Sequence, residues 1–150
     1  VAEQSFAASE GEEPGWRDYF SQATLADEAA HCHLTTGDAR LASKESEAAL
    51  SMLDESRARR RAILSAVRAT SLVRLGDLEE ACQAAASAIA IGSSVQSFTA
   101  TRTIASMMAS MLPFREITEV ENLFEQYRGM PHDPTIYGSF PPIHKLSLHR

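Results

Sequence analysis

Between Trp16 and Arg128 the chain holds one proline, Pro113, in an interval rich in alanine and leucine. Proline removes a backbone donor and clashes with the preceding helical turn, so a nearly proline-free stretch is free to form long helices. Alanine and leucine are among the best helix formers. Alternating β-branched runs, the mark of strands, are scarce. The interval therefore predicts an all-α body.

Local breaks divide that body. Gly37-Asp38 and Gly76-Asp77 each stop a helix, because glycine just past a helix end accepts a positive φ. Asp54-Glu55-Ser56 offers a cap for a third helix. Gly92-Ser93-Ser94 ends a fourth, and Pro113 a fifth. Six helices follow, expected over about 21–36, 39–53, 56–75, 78–91, 95–112 and 116–128.

Two of the breaks repeat. Gly37 and Gly76 stand 39 residues apart, and each is followed by the same pattern. Ala42, Ala49 and Leu50 follow the first, and Ala81, Ala88 and Ile89 follow the second. Small residues at matching places let two helices of a hairpin approach closely. A lone hairpin cannot bury its apolar face, so such units stack. The expectation is an antiparallel α-hairpin stack, with a degenerate third hairpin over 95–128.

Both ends change character. Residues 1–15 carry Glu3, Glu10, Glu12 and Glu13 without Lys or Arg, and show no apolar periodicity; they read as a flexible acidic leader. A secretory signal would need a basic start and an apolar stretch, and both are missing. The first residue is Val, which leaves open a processed chain, an alternative start or a longer parent. Residues 129–150 contain Pro131, Pro134, Pro141 and Pro142, which exclude a regular helix. This tail is either loose or an extended segment lying on the body or on a partner through Tyr137, Phe140, Ile143 and Leu146. The helical domain thus spans 16–128.

Helix, glycine-containing turn and helix, with alanines in the second helix, resembles the tetratricopeptide repeat over about residues 24–91. LVRLGDLEEACQAAASAI is the closer copy, and HCHLTTGDARLASKESEAAL the looser. The period exceeds that of the consensus repeat, and Ala26 and Ser65 stand where a large residue is usual. A narrower resemblance spans about 15–128: GWRDYFSQATLADEAAHCHLTTGD, RRRAILSAVRATSLVRLGDLEEACQAAASAI and LPFREITEVENLFEQYR look like the C-terminal helical-repeat region of actinobacterial transcriptional regulators. In those proteins a helix-turn-helix domain precedes the repeats, and none is recognisable here. The resemblance implies a regulatory, protein- or peptide-binding half. It also implies a concave groove along the first helices of each pair. That groove would be lined by Thr24, Asp27, His31, Leu34 and Thr35, then by Ile63, Ala66, Thr70, Val73 and Arg74, then by Arg102 and Ala105. Asp27, His31, Thr70, Arg74 and Arg102 would supply its polar contacts, arginine being well suited to a carboxylate.

Other residue clusters admit two readings each. Arg57, Arg59, Arg60 and Arg61 open a stretch that also holds Arg68 and Arg74 and has no acidic residue from 56 to 76. Cations at a helix start oppose its dipole, so Asp54, Glu55 or the acidic leader should compensate. The run is either a solvated face with local ion pairs or a docking patch for an acidic partner segment. Ile104, Met107, Met108, Met111 and Leu112 are either core or an adaptable partner or dimer surface. Cys32 and Cys82 are expected to be buried, with a redox pair the sharper alternative. His31 and His33 lie about 200° apart on a helix and cannot share an ion, and His132, His144 and His149 are irregularly spaced, so no metal site is expected.

Composition narrows the function classes. A formal net charge of −6 argues against direct nucleic-acid binding. No apolar run reaches the ~20 residues needed to span a bilayer. Two cysteines are too few for a disulfide scaffold and fit a reduced, cytoplasmic setting. There is no Gly-rich phosphate loop, nucleophile elbow or HExxH, so neither an enzyme nor a cofactor is expected. A binding module, a self-associating homodimer and a small-molecule sensor remain as readings.

Overall fold

The computed structural model describes residues 21–131. The leader, residues 16–20 and most of the tail lie outside the described residues. The described residues form six α-helices: α1 (Gln22–Thr36), α2 (Ala39–Met52), α3 (Ala58–Leu75), α4 (Leu78–Gly92), α5 (Phe98–Met111) and α6 (Thr118–Arg128). A short 3-10 turn, Leu112–Phe114, carries Pro113 where its missing N–H costs nothing. The all-α expectation holds, and among these residues no helix is long and apolar enough to cross a membrane.

The 39-residue repeat is visible in backbone geometry. Gly37 and Gly76 both adopt the left-handed conformation, at φ 89° and 81°. The next residue in each case, Asp38 or Asp77, sends its N–H back to the carbonyl of His33 or Leu72. Its carboxylate then accepts from the backbone of Leu41 or Glu80, capping the helix that follows. The small residues behave alike too. Ala42 and Ala49 are fully buried, as are Ala81 and Ala88. Ala26 and Ser65 are both buried, and Ala26 packs in one cluster with Ala49 of α2.

α3 holds the centre. It packs on α1, α2, α4 and α5, and from Ala62 to Leu72 every residue but Arg68 is buried. The final pair departs from the first two. α5 lies mainly against α3 and α6 against α4, and the two do not approach backbone to backbone as α1 and α2 do. They meet instead through long side chains in one core, where Ile104, Met107, Met108 and Met111 join Val120, Leu123, Phe124 and Tyr127. Methionine fills such irregular gaps well. These methionines are fully buried, so they are core and not a partner surface. Met130, in the stretch assigned to the tail, is buried in the same core. Gly92 ends α4 where a Cβ would overlap Ile104 Cδ1, so glycine is what allows α5 this close.

Three helix starts shift from expectation, the last being α6, which begins at Thr118 and not near 116. Asp54 caps no helix: its carboxylate accepts from the backbone and hydroxyl of Ser56, closing a local turn, and α3 begins only at Ala58. Those hydrogen bonds hold the Asp54 carboxyl below its ordinary range. Ser97 caps α5 through Ala100 N–H, so that helix starts at Phe98 and not near 95.

Candidate functional site

Asp27 and His31 lie one turn apart on α1, on the side that meets α3. Asp27 is buried, its side chain 8% exposed, and a buried carboxylate is costly unless paired. Arg60, at the start of α3, supplies the partner, with Nη1 2.8 Å from Asp27 Oδ2. His31 Nε2 stands 3.4 Å from Oδ1 of the same carboxylate. Hydrogen bonding to Asp27 raises the His31 imidazole above its ordinary value, against the opposing pull of burial; the charges of Asp27 and Glu28 raise it further and that of Arg60 lowers it. Farther along, Arg74 Nη1 donates to Leu34 O at 2.8 Å, at the end of α1. These two contacts show α1 and α3 running side by side in the same direction.

The arginine run is divided by the turn of its helix. Arg60 goes to Asp27. Arg61 Nη1 donates to Leu53 O at 3.0 Å and Leu50 O at 3.4 Å, meeting the carbonyl-rich, partially negative end of α2. Arg68 pairs with Glu80 at 3.0 Å. The side chains of Arg57 and Arg59 are exposed and make no hydrogen bond or ion pair among the described residues. Of the compensation expected from Asp54, Glu55 or the acidic leader, Asp54 supplies part, its carboxylate interacting with the charge of Arg57; Asp27 and the end of α2 meet Arg60 and Arg61, and the leader lies outside the described residues. Two of the four patch arginines are structural and two are available.

The five polar groove residues do not share one surface. Asp27 and His31 form one cluster, and Arg74 caps the far end of α1. Thr70 is buried, and its hydroxyl donates to Ala66 O within its own helix. Ile63 and Ala66 are buried too, since α5 covers α3 where an open groove was expected. Arg102 is exposed on α5 and has no partner among the described residues. Cys32, expected inside, is exposed, whereas Cys82 is half-buried and burial pushes its thiol up. Both are free thiols. Among the described residues no cluster could hold a metal ion.

Among the described residues a concavity lies at one end, where α1 begins, α2 ends and α3 begins. It is an open cleft of about 390 Å³ lined by Ser21, Gln22, Ala23, Thr24, Met52, Leu53, Asp54, Arg57 and Arg60. Met52 is 43% exposed, a large apolar side chain on the cleft wall. Thr24, Arg57 and Arg60 were legible from sequence. Met52 and Leu53 were not, although two apolar residues at a helix end, just before an acidic turn, are the signal that marks them. A shallower open depression of about 270 Å³ lies beside His31, Cys32, Thr35 and Thr36. Comparison with models of protein families, with curated proteins and with solved structures gave no match.

Proposed function

We propose that this chain is a tetratricopeptide-like protein- or peptide-binding module that acts without catalysis in the cytoplasm, as the regulatory half of a transcriptional regulator of the actinobacterial type. The paired Gly-Asp turns, alike in conformation and capping at the 39-residue spacing, support the repeat reading. The observation that carries the binding reading is the open cleft, which sets an exposed guanidinium, Arg57, beside exposed Met52. Guanidinium recognises carboxylate, and methionine adapts to varied apolar side chains. That pairing suits a short acidic segment with apolar or aromatic residues. The cleft is open to solvent, so a peptide can enter it. A ligand there lies against Arg60 and so bears on the Arg60–Asp27 contact between α1 and α3, which is a route from binding to repeat packing.

The test is a panel of short acidic peptides, with and without aromatic residues, titrated into isotopically labelled full chain. Resonances of Thr24, Met52, Leu53 and Arg57 should shift with the aromatic acidic peptides. Arg57→Glu should abolish the shifts, and Arg102→Ala should leave them. Shifts centred on α5, or none with any peptide, would overturn the assignment.

A further inference from the structure

We infer that the resident occupant of this cleft is the chain's own N-terminal segment, residues 10–20, held there in competition with partners in trans. The inference rests on the peptide-binding reading and names what fills the cleft when no partner is present.

Connectivity is the first argument. Ser21 is at once the N-cap of α1 and a wall of the cleft, so residue 20 is bonded to the cleft's rim. Five residues reach at most ~17 Å, which places Trp16, Tyr19 and Phe20 within range of Met52 and Leu53. A tether this short holds its segment at a local concentration of roughly millimolar or above. A free partner of equal intrinsic affinity competes poorly with that.

Chemistry is the second. Residues 10–20 read EGEEPGWRDYF, four acidic residues and three aromatics against a single arginine. The cleft offers the complement. Arg57 and the adjacent Arg59 have no ion pair among the described residues, and Met52 is an uncovered apolar contact suited to an aromatic ring. The start of α3 adds to this, because Arg57 stands at the N-cap without a side-chain cap for the first helical N–H groups. A carboxylate satisfies such groups and complements the helix dipole.

Trp16 is the chain's only tryptophan, so intrinsic fluorescence of the full chain reads the segment directly. The expected result is a blue-shifted emission with acrylamide quenching several-fold weaker than for free N-acetyltryptophanamide, unchanged on dilution. Met52→Asp, and separately Arg57→Glu with Arg59→Glu, should move the emission to the red and restore quenching, while Arg102→Glu should not. Circular dichroism checks that each variant stays helical; if Met52→Asp unfolds, the exposed arginine pair decides. Emission and quenching equal to the free fluorophore would overturn the inference. So would shielding that survives both cleft variants, or shielding lost on dilution, which would mark a second copy as the occupant. Solvent-exposed Trp16 in a chain whose cleft still shifts with acidic peptides would overturn self-occupancy alone. Absence of both signals would remove the peptide-binding reading with it.

Discussion

Arg60 Nη1 lies 2.8 Å from Asp27 Oδ2, and this contact joins two helices whose backbones otherwise meet only narrowly. Removing the arginine leaves a carboxylate inside the fold with only half-exposed His31 beside it. Arg60→Ala is expected to lower stability by about 2–3 kcal/mol, the cost of stranding a largely buried charge. Arg59→Ala, one residue away and exposed, should stay within about 0.5 kcal/mol of the parent. Urea denaturation of the two variants is the check, and equal costs would mean the pair contributes nothing.

The same carboxylate predicts a pH dependence. His31 binds its proton more tightly in the folded chain than in the unfolded one, so its contribution is fully present below the ordinary imidazole value of 6.5. Stability should fall as pH rises from there through the raised folded value. His31→Gln should flatten this part of the profile. Thermal melts across about pH 5–9, a span that brackets the usual imidazole range, paired with an NMR titration of the imidazole, separate His31 from the other histidines.

The twin turns predict twin costs. A Cβ at Gly37 or Gly76 meets nothing within 4 Å, so the whole penalty of Gly37→Ala or Gly76→Ala is conformational. Each should cost about 1–2 kcal/mol, the ordinary price of a left-handed residue with a side chain. Asparagine, which tolerates that region, should cost less at both sites. Asp38→Ala and Asp77→Ala should each remove about 1 kcal/mol of capping. Chemical denaturation of all four alanine variants tests the symmetry as well as the size.

At the other end of α4, Gly92→Ala should destabilise by about 1–3 kcal/mol through overpacking against Ile104. Ile104→Val removes the Cδ1 that the new methyl would strike. The double variant should therefore cost less than the two single changes together, a coupling that a double-mutant cycle measures directly.

The parts of this fold that are local were legible in the sequence, and the parts that depend on register between helices were not. Gly37-Asp38 and Gly76-Asp77 announce their turns because glycine's conformation and aspartate's cap are decided within six residues. Asp54 misled because a carboxylate can serve the turn it sits in as readily as the helix ahead, and Ser56 took it. Four arginines in five positions look like one patch on paper. On a helix they point about 100° apart, so α1 and the end of α2 each claimed one. Periodicity says which face of α1 carries Asp27 and His31, but not which residue of α3 will stand opposite. Cys32 was misplaced because its residue type was weighed ahead of its position on the helix: Ala23, Ala26 and Ala30 share the buried face of α1, and Cys32 stands about 180° round from Ala23.

The four neighbours of α3 bear on how the molecule comes apart. In an extended array each unit touches only the next, and an end can fray while the rest persists. Here one helix is the common wall of both pairs and the floor of α5, so no terminal unit can peel away without exposing Leu64, Val67 or Leu72 to water. Loss of structure at either end is thereby communicated to the other, and unfolding is expected as a single cooperative step whose midpoint is the same by every probe.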